Sequence, residues 1–495
     1  MTKNGYILSI DQGTTSSRAA LVSQDGNIIC QKNIEFKQYF PKSGWVEHNP
    51  KDIISSTVEC IESVIQKSGI GLNEIITAGI TNQRETVVAW NKKTGEPIYN
   101  AIVWQDRRTE DLCQSLRDQN YQDLIQLKTG LIIDPYFSAS KIKWILENVD
   151  EAKSLLASND LLVGTIDTWL IWNLTNKKSH FTDVTNASRT MIYNINDDQW
   201  DEELLDIFGI PKEILPTVKN SMDDFGLISK DFFGYEITIN GVAGDQQAAA
   251  FGQLCFEKGM VKSTYGTGCF MLMNTGEEIN QSKNKLLSTT AFKNKDKKMY
   301  ALEGSIFNAG TVVQWMRDEL SFYKDSKDAE KLASQSKNIV TFIPAFTGLG
   351  APYWKSDIRG SIHGITRDTS QSDIVLAALK SVCFQSKDLF LCLQKDMLNT
   401  ADNYVMRVDG GMSQNNLMMQ YLSDLLQVSV ERPVIQETTV MGAAFLAGLQ
   451  FGIYKSIDEL KDLWKTDKVF EPVLRKEQIE EEYNQWLKII NKEIS

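Results

Sequence analysis

The chain has 495 residues and a formal net charge of −12, so we expect two or more domains and do not expect a nucleic-acid-binding surface as the main functional feature. Its hydrophobic share of 42% and charged share of 23% are typical of a globular, soluble protein. No apolar run approaches the roughly 18 residues of a membrane span, which argues against stable membrane insertion.

Cysteine and histidine usage argues against disulfide and histidine-metal chemistry. The seven cysteines are scattered without a Cys-x-x-Cys pair, so neither a disulfide framework nor a structural zinc site is expected. The three histidines, His48, His180 and His363, are too few to favour a histidine-based metal site. Residues 1–5 lack the apolar segment of a signal peptide, and we therefore expect a cytoplasmic protein.

Strand-like and helix-like patterns alternate along the chain, which predicts an α/β fold. In the first half, the patterns predict helices over 52–67 and 136–149 and strands near 6–10, 18–23, 27–36, 75–79 and 87–90.

The first predicted strand leads directly into a polar turn. Asp11 ends the strand, the turn contains Thr14, Thr15 and Ser16, and Arg18 begins the next strand. Hydroxyls, backbone N–H groups and a guanidinium suit phosphate oxygens, and a carboxylate at a strand end suits Mg²⁺. The alternative is an ordinary β-hairpin with a polar turn.

The same strand–turn–strand theme recurs in the middle of the chain. We expect strands over 259–264 and 269–273, joined by a turn that contains Gly266-Thr267-Gly268. The recurrence predicts two similar α/β lobes, residues 1–253 and 254–495. The Gly-x-Gly lacks the third glycine of a Rossmann loop and is a weak signal by itself.

A glycine pair marks a third candidate segment late in the chain. After a strand predicted over 405–408, Gly410 and Gly411 allow close backbone approach to a flat ligand and are predicted to open a helix. A glycine-rich strand-to-helix turn without a ligand is the alternative. Beyond it we expect a helix rich in small residues over 438–451 and a charged helical tail.

Two further segments are candidates for substrate binding. Arg84 and Glu85 follow a short predicted strand and form either a surface ion pair or a donor fork and an acceptor for neighbouring hydroxyls. Asp245 follows a strand predicted over 241–243, which is where ligands bind in α/β proteins, although a helix N-cap is the common alternative.

Together these segments resemble the FGGY family of carbohydrate kinases within the actin-like ATPase superfamily. The resemblance covers roughly residues 5–455 and rests on many ordered segments, which are 11–18, 44–50, 82–86, 104–108, 136–148, 244–247, 265–270, 360–379 and 409–416. The segment Asn82–Thr86 is similar to that of family members that phosphorylate glycerol.

The resemblance implies two ribonuclease-H-like lobes with an active site in the cleft between them. It implies an ATP- and Mg²⁺-dependent kinase with Asp245 as general base and with Asp11 organising Mg²⁺. The implied glycerol contacts are Arg84, Glu85, Trp104, Tyr136, Asp245, Gln246 and Phe270, of which Trp104 and Phe270 form an apolar wall. The implied nucleotide contacts are Thr14, Thr15, Ser16, Arg18, Thr267, Gly310, Gln314, Gly411 and Asn415.

Alternatives remain at this level. A family kinase for another polyol or for a ketose is the nearest, and a chaperone or filament ATPase on the same fold is more remote. Residues 231–236 contain no histidine, so control by histidine phosphorylation, which some bacterial relatives use, is not expected, and no arginine loop for a sugar bisphosphate is evident there. The resemblance also implies a homodimer or a homotetramer.

Overall fold

The computed structural model describes residues 5–355, 357–397 and 404–494. The strands of the first half are β1 (Tyr6–Gln12), β2 (Ser16–Ser23), β3 (Ile28–Glu35), β4 (Gln38–Tyr39), β5 (Glu47–His48), β6 (Ile75–Asn82), β7 (Val87–Asn91), β8 (Ala101–Ile102), β9 (Leu161–Thr165), β10 (Phe181–Asp183), β11 (Tyr193–Asn194), β12 (Gln199–Trp200), β13 (Thr217–Lys219), β14 (Leu227–Ile228) and β15 (Ile237–Gly244). Its helices are α1 (Pro50–Ser68), α2 (Glu110–Asp118), α3 (Gln122–Thr129), α4 (Ser138–Asn148), α5 (Asp150–Ala157), α6 (Ile166–Leu174), α7 (Val184–Ala187), α8 (Glu202–Phe208), α9 (Lys230–Phe233) and α10 (Asp245–Gly252).

The second half is organised in the same way. Its strands are β16 (Met260–Tyr265), β17 (Cys269–Gly276), β18 (Leu287–Lys293), β19 (Lys298–Ile306), β20 (Thr341–Ile343), β21 (Ser361–His363), β22 (Val405–Asp409), β23 (Ser429–Pro433) and β24 (Thr466–Phe470). Its helices are α11 (Gly310–Asp318), α12 (Asp328–Ala333), α13 (Gln371–Asp396), α14 (Asn416–Leu426), α15 (Thr438–Phe451), α16 (Ile457–Lys461) and α17 (Lys476–Ile494). Short 3₁₀ helices lie at Leu72–Glu74, Lys212–Ile214 and Gly411–Gln414.

Local sequence signals account for the ends of α1, which was predicted over 52–67. Asn49 caps its start by accepting a hydrogen bond from the backbone N–H of Lys51, Pro50 occupies the first turn, and Gly69 ends the helix with φ 67°. The buried face repeats every three or four residues, which is the pattern that predicted the helix.

The two large sheets share one strand order, and this confirms the two-lobed α/β fold. The first sheet contains the order β3-β2-β1-β6-β15, and the second contains β19-β17-β16-β22-β23. In each sheet the first two pairings are antiparallel and the last two are parallel. This repeated arrangement is the ribonuclease-H-like lobe that the resemblance implied.

Helices α10 and α15 hold the two halves together through very close backbone contact. A Cβ atom added at Gly442 of α15 would lie 1.8 Å from the carbonyl oxygen of Ala248 in α10. A Cβ atom at Gly252 of α10 would lie 2.0 Å from the carbonyl oxygen of Thr438. The small residues predicted over 438–451 therefore allow two helices to touch, and α15 also packs on β1, β6 and β15 of the first sheet.

The parallel strands bring three candidate segments to one edge. Because β1, β6 and β15 are neighbours and run parallel, their carboxyl ends lie side by side. Asp11 lies near the end of β1, Arg84 follows β6, and Asp245 follows β15. In the second sheet Asp409 ends β22 and is paired with Thr264 of β16.

Two local expectations need correction. The glycines at 410 and 411 open a 3₁₀ helix and not an α-helix, because Gly410 is its N-cap and Gly411 its first residue, and α14 begins only after Asn415, which is the N-cap of α14. Gly244, not Asp245, is the N-cap of α10. Asp245 is instead the first residue of α10, and its Oδ1 accepts from the backbone N–H of Gln246 at 2.7 Å.

In the part of the chain that the structure describes, no helix combines the length and apolar character needed to cross a membrane.

Candidate active site

Arg84 and Glu85 are buried and do not form the surface ion pair that was their alternative. Their exposed fractions are 2% and 1%. The backbone N–H of Thr86 donates to the carbonyl of Arg84 at 2.7 Å, which closes a tight turn around Glu85. Glu85 has φ 60°, a conformation that is costly for a residue with a side chain and that concentrates at functional sites.

Two residues that sequence reasoning did not select complete the environment of Arg84 and Glu85. Arg84 donates from Nη1 and Nη2 to the carboxylate of Glu303 at 2.6 and 2.7 Å. Arg189 donates from Nε to Glu85 at 2.6 Å and from Nη2 to Glu303 at 3.2 Å. Arg84, Glu85, Arg189 and Glu303 thus form a closed cluster of alternating charges, which we call the ion-pair ring.

Opposite charges offset the cost of burying the ion-pair ring. Burial by itself raises the pKa of Glu303, but Arg189 and Arg84 outweigh burial and lower that pKa to about 2. Burial likewise opposes the charge of Arg84, and Glu303 and Glu85 nevertheless raise its pKa above the ordinary value. Glu85 differs from Glu303, because burial raises the pKa of Glu85 above its ordinary value although Arg84 and Arg189 oppose this effect.

Asp245 and Tyr136 contact the ion-pair ring from the open side of the site. Arg84 Nε lies 3.3 Å from Asp245 Oδ1, and Arg84 Nη2 lies 3.4 Å from the hydroxyl of Tyr136. The side chain of Asp245 is 28% exposed, in contrast to the buried ring. A partly exposed carboxylate and a half-buried phenol thus lie beside a fixed guanidinium, and this arrangement can bind a small polyol.

Lys141 fixes the turn that carries Tyr136. Its ammonium group donates to three consecutive carbonyl oxygens, those of Pro135, Tyr136 and Phe137, at 2.6, 2.6 and 3.0 Å. Burial lowers the pKa of Lys141 to about 8. These bonds hold the Tyr136 backbone at the start of α4.

The aromatic rings of Trp104 and Phe270 form a wall beside the polar groups. The ring of Trp104 lies 5.5 Å from that of Tyr136 and 6.2 Å from that of Phe270, both edge to face. Trp104 Nε1 donates to the hydroxyl of Thr14 at 3.0 Å, so this wall adjoins the first polar turn.

Gln246 lies between the two lobes and is held by a buried lysine. Lys262 of β16 donates to Gln246 Oε1 and, at 3.3 Å, to the carbonyl of Phe270. Burial lowers the pKa of Lys262, although the charges of Asp409 and Asp245 oppose this effect. Lys262 was not selected from the sequence. The available signal was a charged residue inside the strand predicted over 259–264.

The first polar turn is compact and partly open to solvent. The backbone N–H of Gly13 donates to the carbonyl of Ser16 at 2.9 Å, which brings Thr14, Thr15 and Ser16 into one tight loop. Thr15 is exposed, and Thr14 and Ser16 are half-buried. The loop therefore presents hydroxyls and backbone amides to the cleft.

The start of α15 links the polar segments of both lobes. Its side chains make three contacts, which are Glu437 with Arg18, Thr438 with Asp409, and Thr439 with Asp11 at 2.9 Å. Burial raises the pKa of Asp11, although Arg18 and Thr439 lower it. Arg18 therefore already has a carboxylate partner in Glu437.

The second polar turn contacts the segments predicted to form the nucleotide pocket. The backbone N–H of Gly310 donates to the carbonyl of Gly266 at 2.9 Å, and that of Thr311 donates to the carbonyl of Thr267 at 3.2 Å. A Cβ atom at Gly410 would lie 2.5 Å from the carbonyl oxygen of Tyr265, so the glycine pair also reaches this turn.

The remaining nucleotide candidates lie around this turn with different exposure. Gln314 of α11 and Gly411 are exposed, and a Cβ atom at Gly411 would have no neighbour within 4 Å. Asn415 is half-buried and uses its side-chain oxygen to accept from the backbone N–H of Met418 at 2.9 Å. Gly411 therefore leaves open space for a ligand, whereas the side-chain oxygen of Asn415 is already used to cap α14.

The two halves of the chain match two different domains of one known protein family. Residues 6–252 match the N-terminal domain of the FGGY family of carbohydrate kinases, and residues 261–451 match its C-terminal domain. The chain is 54% identical over 489 residues to a glycerol kinase of Marinomonas sp., and 52% identical over 491 residues to one of Geobacillus sp.. Each alignment covers 98% of both proteins.

Solved kinase structures also match this chain over nearly its whole length. The crystal structure of Plasmodium falciparum glycerol kinase with ADP superposes with a TM-score of 0.93 at 39% identity and covers 99% of both chains. A xylulose kinase from Lactobacillus acidophilus superposes with a TM-score of 0.89 at 23% identity over 99% of this chain and 98% of its own. The match to the xylulose kinase shows only that the two proteins share a fold.

Proposed function

Because the chain belongs to the FGGY family of carbohydrate kinases, we propose that it phosphorylates glycerol with ATP and releases sn-glycerol 3-phosphate. Its full-length similarity to glycerol kinases supports glycerol, rather than a ketose, as the acceptor. Similarity to an ADP-bound glycerol kinase supports ATP as the donor.

One observation about the geometry carries the proposal. Arg84, Tyr136 and Asp245 converge beside the wall formed by Trp104 and Phe270. Glycerol has three hydroxyls on a short carbon chain, so it needs several polar partners on one side and an apolar surface on the other. The site offers both, at the carboxyl ends of parallel strands, where ligands bind in α/β folds.

Asp245 is the proposed general base. Its carboxylate is accessible at the end of the buried cluster, and Arg84 lies 3.3 Å away and helps to orient it. It would accept the proton of the terminal hydroxyl that attacks the γ-phosphate. Glu85, Tyr136 and Gln246 are proposed to help fix the other hydroxyls of glycerol.

The two polar turns are the proposed phosphate clamp. Thr14, Thr15, Ser16 and Arg18 would approach the ATP phosphates from one lobe, and Thr267 would approach from the other. Gly310, Gln314, Gly411 and Asn415 are the proposed lining of the nucleotide pocket. Backbone amides and hydroxyls can stabilise charge on the transferring group without reorganising during the reaction. Closure of the lobes would exclude water, which competes with glycerol as acceptor.

Asp11 fits a Mg²⁺ site of the kind that uses one carboxylate, waters and substrate phosphates. Its carboxylate is half-buried near the end of β1, and the charges of Arg18 and Asp245 act on it. In the described residues, no group of three or more His, Cys, Asp or Glu side chains could hold a metal ion, so waters and substrate phosphates would supply the further ligands at Asp11. When bound, Mg²⁺ would neutralise phosphate charge.

We also propose a cytoplasmic location, two lobes formed by residues 1–253 and 254–495, and a homodimeric or homotetrameric assembly. The seven free cysteines support the first point, because free thiols suit a reducing compartment. The polar turns at 13–16 and 266–268, one in each strand-order repeat, support the second.

A direct assay tests the proposed activity. The purified chain, supplied with Mg²⁺ and ATP, should release ADP only when glycerol is added, and the product should be sn-glycerol 3-phosphate in equal amount. ADP release that does not depend on glycerol, or the absence of glycerol 3-phosphate, would refute the proposal.

A further inference from the structure

We propose that Glu303 is a positioning residue that determines which edge of the Arg84 guanidinium faces glycerol. This inference rests on the proposed function, because it concerns the same acceptor site. Glu303 belongs to β19 in the second sheet, whereas Arg84 follows β6 in the first. The two residues are 219 positions apart, so only the assembled lobes bring them together.

The contacts of Glu303 occupy the end of the guanidinium. Nη1 donates to Glu303 Oε2 at 2.6 Å and Nη2 donates to Glu303 Oε1 at 2.7 Å. Two parallel N–H bonds to one carboxylate fix the plane and the direction of the guanidinium. The second donor of Nη1 is also used, by Gln247 Oε1 at 3.1 Å.

The other edge of Arg84 remains for the acceptor. Nε and the second hydrogen of Nη2 lie on the same side of a guanidinium, away from Nη1. Here they face Asp245 and the hydroxyl of Tyr136 at 3.3 and 3.4 Å, which are longer than the bonds to Glu303. Two adjacent donors on this edge match two neighbouring hydroxyls of glycerol. The donor fork expected at Arg84 therefore consists of Nε and Nη2, because the Nη1–Nη2 end is occupied by Glu303.

Arg189 keeps Glu303 in the required orientation. It reaches Glu303 Oε1 at 3.2 Å and Glu85 at 2.6 Å, and its exposed fraction is 0%. A buried carboxylate between two buried guanidinium groups has little freedom to rotate. Glu303 thus transmits the position of the second lobe to the glycerol contacts of the first.

Glu303→Asp tests this inference while the charge is retained. The shorter side chain cannot reach both terminal nitrogens of Arg84 in the same geometry. We expect the KM for glycerol to rise about tenfold, which corresponds to about 1.4 kcal/mol. The KM for ATP and the affinity for ADP should stay unchanged, because the side-chain hydrogen bonds of Glu303 go to Arg84 and Arg189.

A double-mutant cycle separates positioning from a general structural effect. Lysine has a single ammonium group and no second edge, so in an Arg84→Lys background the change Glu303→Asp should raise the glycerol KM no further. A purely structural role would add the same loss in both backgrounds and would overturn the inference.

Asp388→Asn is the matched control for a buried carboxylate in the same lobe. Asp388 of α13 accepts from Tyr353 and Trp486 at 2.7 and 3.0 Å, and Trp486 belongs to the C-terminal helix α17. This variant should lower the Tm and leave the glycerol KM unchanged. If Glu303→Gln also lowers only the Tm, the inference is wrong.

The outcomes for the two proposals are distinguishable. If the unaltered chain does not phosphorylate glycerol, the proposed function fails and the inference fails with it. If the unaltered chain is active and Glu303→Asp leaves the glycerol KM unchanged, only the inference on Glu303 fails.

Discussion

Replacing Arg84 by methionine perturbs the ion-pair ring at its best-defined member. Methionine retains much of the aliphatic bulk and removes the charge and all of the donors. The ring holds two guanidinium groups and two carboxylates, each at most 2% exposed. In Arg84→Met two buried carboxylates, Glu85 and Glu303, share the single positive charge of Arg189.

The size of the effect follows from the loss of one charge in a buried pair. Removing one partner of such a pair costs about 3–5 kcal/mol, because the other charge stays buried without compensation. We therefore expect Arg84→Met to lower the free energy of unfolding by about 3–5 kcal/mol at pH 8. In the same variant the KM for glycerol should rise and ADP binding should persist.

The loss of stability should depend on pH in a defined direction. Arg189 and Arg84 together hold the pKa of Glu303 at about 2 against the effect of burial. Without Arg84, burial is opposed mainly by Arg189, so the pKa of a ring carboxylate should rise above its unfolded value. A carboxyl group with a raised pKa in the folded state is stabilising at low pH and loses this contribution as pH rises. Arg84→Met should therefore be more damaging at pH 8 than at pH 5.

Urea unfolding of the variant and the unaltered chain at pH 5 and pH 8 measures both effects. Arg117→Met is the matched control, because the Arg117 side chain is 30% exposed and pairs with Glu110 at 2.8 Å. A partly exposed ion pair contributes about 1 kcal/mol or less. If Arg84→Met costs no more than Arg117→Met, or shows the same cost at both pH values, the reasoning about the ion-pair ring is wrong.

Three further predictions follow from other parts of the molecule. Asp245→Asn should retain ADP binding and lower kcat by about 10² or more, and near-normal turnover would remove Asp245 as general base. Gly442→Ala should lower stability by about 3 kcal/mol or more in thermal unfolding, because its Cβ atom would lie 1.8 Å from the carbonyl oxygen of Ala248. Burial lowers the pKa of His48 and of His180 to about 4. Between pH 6.5 and pH 4 these histidines are therefore protonated in the unfolded chain but neutral in the folded chain. The Tm should therefore fall as pH drops from 6.5 to 4, and replacing both histidines by glutamine should weaken this dependence.

Controls sharpen two of these tests. Gly266→Ala places a Cβ atom 3.9 Å from its nearest neighbour and should leave the Tm nearly unchanged. Equal losses in Gly266→Ala and Gly442→Ala would contradict the argument from close helix packing. A Tm that stays constant between pH 6.5 and 4 would contradict the argument from the histidines.

Local patterns predict the elements that carry the site. The hydrophobic period of α1, the strand before Asp11 and the small residues of α15 are all visible in short stretches of sequence, and the structure confirms these elements. The sequence selected Asp11, Arg84 and Asp245 separately as residues at or after strand ends, and the parallel order of β1, β6 and β15 brings them to one edge.

Contacts across the cleft could not be predicted in this way. Glu303 meets Arg84 only because β19 and β6 belong to sheets that face one cleft, and no local pattern encodes that meeting. The contacts of Glu437 with Arg18 and of Thr439 with Asp11 likewise join residues more than 400 positions apart. Long-range partners determine whether a pair such as Arg84 and Glu85 is buried or exposed, and a sequence window does not contain them.

The central claim is that this site selects glycerol as the phosphoryl acceptor. Measurement of kcat/KM with Mg²⁺ and ATP for glycerol, dihydroxyacetone, erythritol, xylulose and ribulose tests it most directly. We expect the highest kcat/KM for glycerol, with the preference reduced in Arg84→Met. A higher kcat/KM for xylulose or ribulose would show that the site does not select glycerol.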